Sequence, residues 1–193
     1  MNIRTIEKLD VSDKRILLRL ELNVPLKDGE VQDATRIEQS IPTIKFLLKG
    51  RAKIIIVAHA GRPNGNVVEN LRLDPIAEAM EKLLGHKIKK LDEAIGKKVE
   101  EEIKKMKPGS IIMLENIRFY REEEKCDPQF SKTLASYADY FVMDAFGTTH
   151  RAHSSTHGVA DYIPAYAGLL LEKEMHALSP LLEHPGRPLT IVL

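Results

Sequence analysis

Short apolar runs recur along the chain at residues 16–20, 54–58, 111–114, 140–144 and 189–193, with a weaker one at 87–91. They are rich in Ile, Val and Leu, and none alternates with polar residues. Successive side chains of a strand point to opposite faces, so a strand with one wet face must alternate. Unalternating runs suit strands covered on both sides, as parallel sheets require. Helical patterns fill the gaps. Over 35–48 the apolar residues Ile37, Ile41, Ile44 and Leu48 keep near-helical spacing, with Pro42 a defect that suggests a kink. Asp74-Pro75 opens a second helix and Gly85 closes it. A charged amphipathic stretch covers 93–106, a short helix covers 129–138, and a long one covers 168–183 with Pro180 near its end. The alternation predicts an α/β fold: three layers, a doubly wound, Rossmann-like parallel sheet of about six strands, with helices on both faces.

Composition removes several classes of partner. Twenty-nine Lys and Arg against 28 Asp and Glu leave a net charge of +1 over 193 residues. No overall basic field points to nucleic acid or to an anionic membrane. The N-terminal MNIRTIEKLD lacks the apolar stretch of a signal peptide, and no apolar run is long enough to span a bilayer. Cys126 is the one cysteine, so no internal disulfide forms. A cytoplasmic monomer is expected.

Ligands of open α/β sheets bind beyond the carboxyl ends of the strands. The loops expected there hold Arg19, Glu21 and Asn23; His59, Gly61 and Arg62; Arg118; and Gly147, His150, Arg151 and His153. Arg36 starts the helix after the first strand's excursion. Five arginines at one sheet edge of a nearly neutral chain are a local concentration of planar donor forks, which match phosphate and carboxylate oxygens. A small, strongly anionic ligand is the natural reading, with the glycines admitting it close to backbone. The spacing of His150, His153 and His157 also admits a metal reading, but the surrounding Thr and Ser residues do not favour the helix needed to align them, and no metal site is assigned. Walker-A, GxSxG and GxGxxG patterns are absent.

The same segments resemble the phosphoglycerate kinase family, specifically its N-terminal domain. Residues 19–25, RLELNVP, are similar to the family's RVDxNVP. Residues 33–37 resemble DxxRI, and HAGRP at 59–63 resembles SHLGRP. LENIRF at 114–119 resembles LENLRF, and DAFGTTHRAHSS at 144–155 resembles DAFGTAHRAHSS. The match runs in order over essentially the whole chain. It departs at Glu21, where the family usually carries Asp, and at Ala58 and Ala60, where it carries Ser and Leu.

The resemblance implies glycolytic phosphoryl transfer between 1,3-bisphosphoglycerate and ADP, a carboxyl group being the acceptor. It implies a 3-phosphoglycerate site made of Arg19, Glu21, Asn23, Arg36, His59, Arg62, Arg118, His150 and Arg151. Arg62, Arg118 and Arg151 would hold the non-reacting phosphate, Glu21 and Asn23 would position the other end, and Arg36 would be catalytic. By the same resemblance residues 1–168 form the substrate domain, 169–187 a hinge helix and linker, and 188–193 the first strand of a missing nucleotide-binding domain. That domain would be the partner, and it would hold Mg-ATP or Mg-ADP; this chain would bind neither and would be inactive alone. The alternative is a free-standing module that binds an anionic metabolite.

Overall fold

The computed structural model describes residues 3–183 and 185–190. Its strands are β1 (Arg15–Leu20), the two-residue β2 (Leu26–Lys27) and β3 (Glu30–Val31), β4 (Lys53–Val57), β5 (Ile88–Lys90), β6 (Ile111–Met113), β7 (Tyr140–Asp144) and β8 (Ala165–Ala167). Six of them form one sheet in the order β5-β6-β4-β1-β7-β8, and every neighbouring pair in it is parallel. The helices are α1 (Thr35–Lys49), α2 (Asp74–Leu84), α3 (Lys97–Lys104), the single turn α4 (Arg121–Glu124), α5 (Pro128–Ser136) and α6 (Leu169–Glu183).

Alternate residues of the central strands feed two separate cores, which is why the runs do not alternate in polarity. Ile16, Leu18, Leu20, Ile54 and Ile56 pack with Ile37, Ile44 and Leu47 of α1 and Ile76 and Met80 of α2. Leu17, Ile55 and Val57 turn to the other face and pack with Val99 and Ile103 of α3 and Phe130 and Leu134 of α5. After β1 the chain adds β4 beside it, lays β5 at the edge, and returns to place β6 between the two. The chain then crosses back and adds β7 and β8 on the other side. The order reverses beside β1, and in such sheets the crevice for ligands opens there, beyond the carboxyl ends. No described helix is long and apolar enough to cross a membrane.

The structure alters several expectations. The sixth strand of the sheet is β8, in a segment with no apolar run. Of the run at 189–193, Leu189 and Thr190 are exposed without strand pairing, and 191–193 lie outside the described residues. The helix expected from 93 begins only at Lys97, because Gly96 at φ 121° turns the chain just before it. The helices containing Pro42 and Pro180 run on through those residues.

Candidate active site

Four loops and two helix starts meet at the carboxyl edge around a cavity of about 520 Å³. Glu21, Asn23, Arg36, His59, Arg62, Arg118 and Arg151 all line it. The loop after β1 is set by its own alternation. Leu22 and Val24 are buried at 0% and 6% exposure, which leaves Glu21 and Asn23 on the opposite, cavity side. Each such buried side chain contributes about 1.5–3 kcal/mol. Asn23 Oδ1 then accepts from the Gly61 N–H at 2.8 Å and so joins this loop to the one after β4. Gly61 has a left-handed φ of 62°, and a Cβ there would lie 2.8 Å from Leu71 Cδ2. Only glycine fits that position without strain.

Arg36 sits in the first turn of α1, where the Asp33 carboxylate accepts from the Thr35 N–H at 2.9 Å. Its Nη1 donates to Glu21 Oε1 and to the Asn23 carbonyl, each at 3.1 Å. Glu21 therefore reaches the guanidinium with its longer side chain and lies 15% exposed, while Arg36 remains 51% exposed.

Arg118 is positioned by an amide clamp. The Asn116 Nδ2 donates to the Ala60 and Leu71 carbonyls at 2.9 Å, and its Oδ1 accepts from the Arg118 N–H at 3.1 Å. Arg118 Nη1 donates to the Gly61 carbonyl at 3.0 Å, and Nε faces Glu124 Oε1 at 3.5 Å. Its Nη2 is buried with no hydrogen-bond partner among the described residues. Burial, and then the neighbouring Arg151, lower the Arg118 pKa. Four arginines thus face two glutamates, Glu21 and Glu174, across the cavity. An anion placed there would relieve the repulsion between cations.

Two expected residues lie elsewhere. Arg19 is 1% exposed and sits beneath the cavity. Its Nη2 meets His59 Nδ1 at 2.9 Å, its Nε donates to Ser155 Oγ at 3.0 Å, and its Nη1 donates to the Leu20 carbonyl. His150 is exposed and outside the lining; Arg151 Nε approaches its Nε2 at 3.4 Å. Sequence reasoning missed Gln39, Phe146, Thr148, Leu170 and Glu174 in the lining, and Glu123 and Ser155 below it. Gln39 follows Arg36 by three residues on a helix, a spacing that puts both on one face and could have found it.

His59, 3% exposed, has its pKa lowered to about 2 by burial and by Arg19, Arg118 and Arg151. A free histidine titrates near 6.5. Between about pH 6.5 and 2 the unfolded chain takes up a proton that native His59 refuses, so stability is full above that window and falls through it as acid is added. The slope is up to about 1.4 kcal/mol per pH unit. His153, also lowered chiefly by burial, adds in the same direction. His59→Gln keeps an acceptor for Arg19 but cannot titrate. Thermal denaturation against pH should show a shallower acid limb in that variant, and an unchanged limb would contradict the neutral, buried His59.

Comparison with known proteins places the chain in a family. The family model described as phosphoglycerate kinase matches residues 6–193. A phosphoglycerate kinase of Dictyoglomus turgidum is 54% identical over 184 residues, 95% of this chain and 46% of that protein. One from Moorella thermoacetica is 49% identical over 189 residues, 98% of this chain and 48% of that protein. The solved phosphoglycerate kinase of Pyrococcus horikoshii superposes with a TM-score of 0.89 at 33% identity, over 96% of this chain and 47% of that one. That of Coxiella burnetii gives 0.85 at 35% identity, over 97% and 47%. The chain spans about half the length of the curated relatives it matches. Over the part it spans, family model, relatives and fold coincide, and the chain belongs to the phosphoglycerate kinase family.

Proposed function

We propose that the cavity binds 3-phosphoglycerate, and that the chain supplies the acid-substrate half of an enzyme moving a phosphoryl group between 1,3-bisphosphoglycerate and ADP. The observation that carries this reading is the convergence of Arg36, Arg62, Arg118 and Arg151 on one cavity at the carboxyl edge of the sheet. Arg62, Arg118 and Arg151 hold the non-reacting phosphate. Glu21 and Asn23 orient the hydroxyl and carboxylate end, and neutral His59 donates a single N–H. Arg36, half exposed and tethered through one nitrogen, keeps its other donors for charge on the phosphoryl group in transit.

Four guanidiniums against two carboxylates leave the cavity cationic, which disfavours a divalent cation inside it. On the family's two-part plan, nucleotide and metal are assigned to the part of the enzyme outside this chain. Residues 1–168 are assigned to the substrate unit, 169–187 to a hinge helix and linker, and 188–193 to the start of the nucleotide unit.

Titration of this chain with 3-phosphoglycerate, by calorimetry or by amide shifts, should give a dissociation constant on the order of 0.01–1 mM, the usual substrate range. Added salt should weaken binding, because exposed charges are screened. Arg62 stands exposed on the rim. Arg62→Ala should weaken binding by about 1.5–3 kcal/mol, the value of a charge-assisted hydrogen bond, without disturbing the fold. No saturable shift at residues 59–62 and 147–151 would refute the site.

A further inference from the structure

A buried polar chain runs from Glu123 to the cavity floor. Glu123 is 0% exposed and accepts twice from Ser155, from its hydroxyl at 2.6 Å and from its backbone N–H at 2.9 Å. The Ser155 hydroxyl has one proton, and that proton goes to Glu123. Its oxygen is then left to accept from Arg19 Nε at 3.0 Å. The Arg19 guanidinium turns its third corner to His59 Nδ1 at 2.9 Å. A guanidinium only donates. His59 Nδ1 must therefore be an acceptor, and a neutral imidazole with an accepting Nδ1 carries its proton on Nε2. His59 lines the cavity, and its Nε2 makes no hydrogen bond among the described residues.

We propose that Glu123 is a positioning residue: acting through Ser155 and Arg19, it holds His59 as the Nε2–H tautomer and aims one fixed, neutral donor at the bound anion. The carboxylate also supplies the larger part of the counter-charge for buried Arg19, with Glu21 adding to it, and His153 Nδ1 lies 3.9 Å from the same carboxylate. The device gives the cavity a donor that does not depend on pH over the range where ordinary histidines titrate. It keeps a fifth full positive charge away from Arg118 and Arg151. It also restricts rotation of the ring, since a flipped imidazole would place a second donor against Arg19. That His59 contacts the ligand rests on the 3-phosphoglycerate reading; its tautomer does not.

The test is a long-range ¹H–¹⁵N spectrum of the imidazoles of the ligand-free chain at neutral pH. Wild-type His59 should show an unprotonated Nδ1 and a protonated Nε2 that stay unchanged down to about pH 5. Glu123→Gln keeps the volume but brings an amide N–H against Ser155. Ser155→Ala removes only the relay hydroxyl. In both, the Arg19 plane loses its anchor, so His59 should become a mixture of neutral tautomers, and 3-phosphoglycerate affinity should drop about tenfold while the amide spectrum stays folded. Should Glu123→Gln fail to fold, Ser155→Ala decides. A wild-type His59 protonated on Nδ1, or a His59 signal that neither variant moves, overturns the proposal. Absence of 3-phosphoglycerate binding by the wild type, with the tautomer as described, overturns the ligand reading and leaves the relay standing.

Discussion

Arg36→Ala in the full-length enzyme should lower kcat by about 10²–10³, the loss found on removing one donor from a preorganised charge-stabilising site. 3-Phosphoglycerate affinity should change much less. The asymmetry follows from where the residue stands. Arg36 is half exposed and held through one nitrogen by Glu21 and the Asn23 carbonyl. It has few fixed contacts to offer a ground-state ligand, yet its remaining donors face the open cavity. Charge on a phosphoryl group in transit spreads over its equatorial oxygens and is stabilised by position and electrostatics. Arg62→Ala and Arg151→Ala remove contacts made alike in ground and transition states, so they should raise KM more than they lower kcat. Truncation of Arg36 also leaves the Glu21 carboxylate unpaired beside the cavity, where it would repel an anion. The double variant Glu21→Gln with Arg36→Ala separates the two effects: partial recovery of affinity without recovery of kcat is the expected result. Equal losses of affinity and kcat in all three arginine variants would remove the catalytic assignment of Arg36.

The central strands were legible because their sequence obeys a single physical demand. Residues 16–20, 54–58, 111–114 and 140–144 are covered on both faces, and burial leaves no room for polar alternation. The edge strand β8 was hidden for the converse reason. Ala165 and Tyr166 are only half-buried, and the segment is held by backbone pairing to β7 and by the Ala167 N–H donating to the Arg4 carbonyl. Backbone bonds leave no side-chain signature. The β2–β3 hairpin was readable but unread. Asp28 and Gly29 both have positive φ, at 53° and 78°, which Asp-Gly turns favour, but two-residue strands carry no hydrophobic pattern to flank them.

The same division applies to the site. Residues that line the cavity lie in loops after strand ends, so position in the chain located Glu21, Asn23, His59, Arg62, Arg118 and Arg151. Depth did not follow from position. Arg19 lies near the end of β1, two residues before Glu21 in the loop that follows, yet it is buried and its Nε donates to Ser155, 136 residues away. Glu123 reads in sequence as one acid in a charged run, and only the fold shows that it is sealed while Glu122 and Glu124 are exposed. A single helical turn set over the loop at 154–155 makes that choice, and no periodicity in the sequence carries it.

The isolated chain should show no kinase turnover above background in a coupled assay, and no saturable binding of Mg-ATP. Phosphoryl transfer needs donor and acceptor oxygens in line, with the charge of both partners compensated. Among the described residues the arginine-rich cavity stands at the reversal of strand order, and its excess of guanidiniums over carboxylates disfavours a divalent cation there. On the proposed reading it holds the acceptor, and the donor must be aligned from elsewhere. The chain matches about half of each curated relative; on the proposed reading the donor belongs to the other half, and closure of the two around α6 would assemble the reacting geometry and exclude water. α6 is suited to transmit such a motion. Its Leu170 and Glu174 line the cavity, and its Leu171 N–H donates to Asp144 Oδ1 at the end of β7. Gly168, just before it, packs so closely on the Asp144 carboxylate that a Cβ would collide. The helix start is thereby locked to the sheet and to the site at once. Mixing this chain with the remaining half as a separate polypeptide should restore a slight, concentration-dependent activity, since docking becomes bimolecular. Turnover that follows the isolated chain through purification and disappears in Arg36→Ala would show that one half carries both substrates, and the two-part active site would have to be abandoned.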